Sequence, residues 1–222
     1  DIKAAFDKKP ELANLLLDNA WKRLKPHTPE RFLREMKAIA EGAEAAGHAL
    51  TATDVYRITA VTNFDLYKRE ERIFEFLGEA GAAMLTQIPQ MGGMSCTLFA
   101  VWGSRTVDGK LFASRNLDWV SQTGMHEDRL ITVHRPESRN AFVTMGYAGV
   151  IGGLAGMNEN GMAFSEIGAF SVREELDGTP WTLLLRRVME EAANLEEGVS
   201  ILEKGRHTLG YNFMLADRKS VV

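Results

Sequence analysis

Cysteine is almost missing: Cys96 stands alone among 222 residues, so no disulfide closes within the chain, and the redox character of its compartment is left open. Nowhere do 18 or more apolar residues run together, which excludes a membrane-spanning helix, and residues 1–9 lack the apolar core of a signal peptide. A soluble protein is expected, cytoplasmic or exported after leader removal. Positive charge is in short supply too. The 26 Lys and Arg against 30 Asp and Glu leave a formal net charge of −4, without the basic surplus that draws a protein to nucleic acid or anionic lipid. Histidine is sparse: His27, His48, His126, His134 and His207 include no pair at a metal-ligand spacing. The glycine-rich stretch 149–156 lacks the lysine and following Ser/Thr of a phosphate-binding loop and reads as close strand packing. Neither a metal nor a cofactor is implied. Internal repeats and low-complexity tracts are absent.

The rest is ordinary for a globular protein, with 45% apolar and 25% charged residues and enough length for one sizeable core. The chain changes character part-way. Leu12, Leu15, Leu16, Ala20 and Leu24 suggest a first helix. Phe32, Leu33, Met36, Ile39, Ala40 and Ala43 recur at helical spacing from Pro29 to about Ala46, with Thr28 expected as N-cap. Thr51 and Asp54 form a capping-box pattern ahead of Val55, Ile58 and Val61, and residues 72–85 suggest a further helix. Residues 1–86 thus read as almost wholly helical, and 87–95, with a proline and paired glycines, as an exposed loop open to cleavage.

Strands follow. Asp108-Gly109 is a hairpin turn between residues 97–103 and 110–115, a strand is expected at Leu130–His134, and Asn160-Gly161 turns a second hairpin. Thr179-Pro180-Trp181 opens a helix carrying Leu184, Leu185, Val188 and Met189, a shorter helix ends at Gly205, and a last strand spans roughly Tyr211–Ala216. That strand reads as the opening of a hairpin with no returning partner, so further sequence past Val222 is expected.

Cys96 begins the strand-rich part, and Arg115 and Asp118 return beside it one hairpin later. A thiol acts as nucleophile only as thiolate and needs a base or a positive charge, because a free thiol with a pKa of about 8.5 is mostly protonated at neutral pH. Arg115 supplies the charge. If the chain is cut before Cys96, the freed α-amine, with an ordinary pKa of about 7.7–8.0, supplies the base, and Asp118 orients it. Taken singly, these residues read otherwise: a lone cysteine at a strand start as packing, and an Arg and Asp three apart as a surface ion pair.

Together, Cys96-Thr97, Gly109-Lys110-Leu111-Phe112-Ala113-Ser114-Arg115-Asn116-Leu117-Asp118-Trp119 and Gly156-Met157-Asn158-Glu159-Asn160-Gly161-Met162 resemble the N-terminal nucleophile (Ntn) cysteine hydrolases. Within them the chain is most similar to the autoproteolytic family of isopenicillin N acyltransferase, with choloylglycine hydrolases and acid ceramidase as more distant relatives. The resemblance implies an α+β fold, an αββα four-layer sandwich, in which residues 1–95 form a helical propeptide chain and 96–222 the Ntn β-chain, incomplete at its end, the two making one structural domain. It implies cleavage between Ser95 and Cys96 and two chains that stay together. Carried over, Cys96 is the nucleophile, Arg115 its neighbouring cation and Asp118 the partner of the freed amine. Asn158 and Asn212 are the oxyanion donors, and Glu166 lies near the bound acyl group. Ser95 stands where glycine is usual before the scissile bond.

Asn158 also suits a role in shaping its hairpin, whereas asparagine inside a strand, as at Asn212, is disfavoured without a specific reason. Trp119, Phe164, Trp181 and Phe170 line an acyl pocket or form plain core. The expected activity is acyl transfer or hydrolysis on a small acyl amide through a thioester on Cys96, with a homo-oligomer left open. Two rivals stand beside it: a Cys/His thiol hydrolase using His134 or His207 without self-cleavage, and a non-enzymatic binding module.

Overall fold

The computed structural model describes residues 10–63, 96–118, 125–169, 175–218 and 221–222. The expected helix at 72–85, the loop at 87–95 with Ser95, and Trp119 and Phe170 lie outside them.

Three helices lead: α1 (Pro10–Leu24), α2 (Glu30–Ala45) and α3 (Ala52–Val61), with a 3-10 turn at Lys25–His27. The Thr51 capping box forms as expected, with Thr51 Oγ1 accepting from Asp54 N and Asp54 Oδ2 accepting from Thr51 N at 2.9 Å. Thr28 does not cap α2; that position falls to Pro29. The 3-10 turn brings Thr28 back under α1, where its Oγ1 donates to Leu24 O at 3.1 Å.

β1 (Thr97–Gly103) and β2 (Gly109–Asn116) pair antiparallel, and Gly109 takes the left-handed φ of 71° that its turn requires. A five-stranded antiparallel sheet holds β3 (Arg129–His134), β4 (Phe142–Tyr147), β5 (Ala155–Asn158), β6 (Ala163–Gly168) and β7 (Tyr211–Ala216), neighbours in sequence order. Strand β4 is the element that sequence reading lacked. Its Val-Thr-Met-Gly-Tyr run shows no clean alternation, because Met145 is exposed on one face and a glycine follows.

Between β6 and β7 run α4 (Trp181–Glu191) and α5 (Leu195–Lys204). One face of the sheet is covered by them: Phe142, Phe164 and Leu215 pack against Leu184, Leu185, Val188 and Met189. Each such side chain contributes about 1.5–3 kcal/mol on burial. The opposite face carries Ile131, Val133, Met145 and Met157, all exposed. Helix α4 is buried on its other side as well, where Leu183 joins Trp21, Phe32, Met36 and Val55 of the leading helices. Close approach at its start requires Gly152, since a Cβ there would lie 2.5 Å from the Thr182 backbone, while the expected close strand packing of 149–156 is seen at Gly156, where a Cβ would lie 2.7 Å from Val143 O.

The leading helices are tied to the strand-rich part by polar contacts too. Asn63 Oδ1 accepts from Trp181 N and Thr208 Oγ1, and Trp181 Nε1 donates to Thr62 O at 2.7 Å. Buried Arg186 donates to Glu190 Oε1 and to both carboxylate oxygens of Glu35. At the other end, residues 221–222 make an isolated bridge to β7, with Leu215 N donating to Val222 O at 2.7 Å and Val222 N to Leu215 O at 2.8 Å.

The fold is therefore α+β with two antiparallel sheets, as expected. No helix among the described residues is long and apolar enough to cross a membrane.

Candidate active site

Cys96, half-buried, immediately precedes β1, and β2 returns alongside it. Leu98 stands opposite Arg115 in this ladder, so the arginine projects from the same hairpin end as the thiol. Arg115 Nη2 lies 3.5 Å from Cys96 Sγ. The same nitrogen donates to Glu166 Oε1 at 2.5 Å, while Arg115 Nε donates to Glu166 O at 3.0 Å. The Arg115 and Glu166 side chains are only 8% and 3% exposed, which fixes the guanidinium in place. Glu166 sits in β6 beyond the last residue paired with β5, where the strand edge is open to an approaching side chain.

Glu166 thus clamps Arg115 beside the thiol. Its pKa is pushed up to about 7, because burial disfavours the anion more than the Arg115 charge favours it. Between its ordinary 4.5 and about 7 the folded protein keeps this proton while the unfolded chain has lost it. The resulting stabilisation is complete at the acid end and disappears as pH rises, by about 3 kcal/mol in all. His134 acts in the opposite sense: burial and the Arg186 charge hold its pKa down to about 4 from 6.5, so its contribution grows with pH over that range. Comparing wild type with Glu166→Gln isolates the glutamate. Urea unfolding across pH 4.5–7.5 is expected to show the stability difference, wild type minus variant, falling by about 3 kcal/mol; a flat difference means that Glu166 is ionised throughout.

Asp118 lies two residues past β2 and is exposed, with no bond to Cys96 in the uncut chain. Extending the β1–β2 register by one pair sets Cys96 opposite Leu117, next to Asp118. Asn212 is exposed on β7, opposite Ile167 and one step from the Glu166–Phe213 pair.

Asn158 is not brought to the thiol. Its Nδ2 donates to Met189 O and Ala192 O, and its Oδ1 accepts from Asn160 N and Met162 N, so the full capacity of the amide is spent closing α4 and the hairpin. Its N–H donates to Met162 O, four residues before Glu166, which puts it about 13 Å along the strand from the Arg115 clamp. In this chain the Asn158 amide ties the hairpin to the end of α4. Asn158→Ala is expected to lower the urea midpoint by an amount equivalent to about 2–3 kcal/mol while leaving the rate of Cys96 alkylation unchanged.

Phe164 is buried on the helix-covered face and belongs to the core cluster. Trp181 is core as well, stacked on Tyr211 with ring centroids 4.4 Å apart. The two histidines of the rival thiol hydrolase are engaged elsewhere. His134 stacks on Phe142 and bonds Thr144 Oγ1, in a strand three places from β6, about 14 Å away. His207 Nε2 lies 2.7 Å from Leu202 O at the end of α5. Among the described residues no group of three or more His, Cys, Asp and Glu side chains is placed to hold a metal.

With this geometry in hand, likeness to known proteins becomes informative. The profile of the acyl-coenzyme A:6-aminopenicillanic acid acyl-transferase family matches residues 104–221, just over half of the chain. The chain belongs to this family. The family is of the Ntn type, and the match includes Arg115, Asp118, Glu166 and Asn212 and begins after Cys96. An uncharacterized protein of Archaeoglobus fulgidus is 23% identical over 195 residues, which make up 87% of this chain and 31% of that relative. The chain thus spans about a third of the curated relative it matches. A solved structure, the Caenorhabditis elegans ortholog of N-acylethanolamine-hydrolyzing acid amidase, shares 16% identity with a TM-score of 0.45, covering 58% of this chain and 56% of its own.

Proposed function

We propose that this member of the acyl-transferase family is an autoprocessed N-terminal cysteine amidohydrolase or acyltransferase acting through a thioester on Cys96. The observation that carries the reading is the 3.5 Å approach of the Arg115 guanidinium to Cys96 Sγ, with that guanidinium pinned by buried Glu166.

In the uncut chain the Cys96 thiol attacks the carbonyl of Ser95. The peptide C–N bond breaks, the Cys96 nitrogen leaves as a free amine, and water then hydrolyses the resulting ester of the thiol. The new α-amine becomes the base for later turnovers, and Asp118, now beside a cation that did not exist before the cut, orients it. In turnover the amine takes the thiol proton, Sγ attacks the acyl carbonyl, and Arg115 stabilises the anionic sulfur. Asn212 donates to the oxyanion; one such donor contributes about 3–4 kcal/mol to the transition state. The leaving amine takes the proton back, and water or a second amine resolves the thioester. The family's description, acyl transfer from acyl-coenzyme A to 6-aminopenicillanic acid, favours an amine acceptor for the acyl group.

Acid quenching during turnover of a panel of small acyl amides, followed by intact mass measurement, tests this. The fragment that begins at Cys96 is expected to gain the mass of the acyl group and to lose it on treatment with hydroxylamine. Product formed with no such gain, at any quench time and for any amide turned over, contradicts the thioester.

A further inference from the structure

A second cleft is lined by none of the residues around Cys96. Helix α2, the β3–β4 loop and α4 enclose a cleft of about 390 Å³, a volume within the range of small-molecule pockets. Its lining is rich in guanidinium groups: Arg31, Arg34, Arg139 and Arg186.

Two of these are largely committed. Arg186, 6% exposed, is consumed by Glu35, Glu190 and the Ile151 carbonyl, and Arg31 gives Nε to Glu190 and Nη2 to Glu191. The carboxylates of Glu35 and Glu190 are spent on the same bonds. The other two are not. Arg139 makes a single 3.3 Å contact with Glu191 through Nη1, and Arg34 makes no hydrogen bond or ion pair among the described residues. Facing them is one uncommitted carboxylate, Glu137. The loop that presents Glu137 and Arg139 is held by Ser138 at a φ of +61°, a left-handed conformation that a non-glycine residue keeps only when its surroundings impose it. The rim thus carries two lightly engaged guanidinium groups against one free carboxylate, and planar guanidinium forks suit carboxylate and phosphate oxygens.

We propose that this cleft binds a small oxyanion of at least two negative charges, a polycarboxylate or a phosphate, held by Arg34 and Arg139. The site joins α2 of the leading helices to α4 of the strand-rich part, so an occupant braces the two against each other.

Thermal unfolding and calorimetric titration of the full chain with citrate and with inorganic phosphate, at ionic strength held constant with sodium chloride, test the proposal. At a hundredfold excess over Kd the midpoint is expected to rise by about 5 °C. The double substitution Arg34→Gln/Arg139→Gln is expected to weaken binding about 10- to 100-fold while Cys96 alkylation proceeds at the wild-type rate, and Glu137→Gln to tighten it. Which anion binds more tightly identifies the source chemistry. Absence of saturable binding by either anion, or equal binding by the double variant, overturns the proposal.

Discussion

Replacing Cys96 with alanine is expected to abolish turnover and to leave the chain whole. Both steps ascribed to the thiol need the same sulfur, and removing the nucleophile of a covalent mechanism costs on the order of a millionfold in kcat. The variant is expected to fold normally: Cys96 is half-buried and precedes β1, so its loss opens no core cavity. Electrophoresis and a chromogenic amide assay on the same preparation read both consequences. Residual amide turnover by well-folded Cys96→Ala at more than about one part in a thousand of the wild-type rate moves the chemistry to another residue.

Arg115→Ala is expected to act on stability and on chemistry at once. The substitution leaves Glu166, 3% exposed, without its cation. At pH 8, where Glu166 is ionised in the wild type, the loss is expected to be about 3–5 kcal/mol, the usual consequence of stranding one member of a buried pair. Alkylation of Cys96 by iodoacetamide is expected to slow, because the charge 3.5 Å from Sγ is gone. The two effects separate in the double variant Arg115→Ala/Glu166→Gln: urea unfolding is expected to recover most of the stability, while alkylation stays slow. If alkylation recovers together with stability, Arg115 serves the fold alone.

Much of this arrangement was legible in the sequence, for local reasons. Thr51 with Asp54, Asp108-Gly109 and Asn160-Gly161 signal caps and turns whose geometry is settled within a few residues, and α4, α5 and β7 carry periodicities that fixed their limits closely. The juxtaposition of Cys96 and Arg115 followed from a single hairpin. What the sequence concealed depends on contacts far apart in the chain. Glu166 was singled out by resemblance alone, and its pairing with Arg115, 51 positions earlier, emerges only from the register of β6. The hairpin role open to Asn158 was legible, but the carbonyls that take its amide N–H groups belong to the end of α4, more than thirty residues later. The Phe164 ring fits on the helix-covered face beside Gly156 of β5 and Gly153 just before it, where an added Cβ would lie 2.9 Å from the ring. A buried acid in mid-strand was the one available signal, since such a group requires a cation close by.

The most direct measurement is the intact mass of the purified chain after incubation, together with the N-terminal sequence of any fragment. Two pieces divided between Ser95 and Cys96, with cysteine as the first residue of the second, are expected from a thiol whose base is its own α-amine. A single intact chain that nevertheless hydrolyses acyl amides contradicts it, because catalysis then proceeds without the amine that the cut creates.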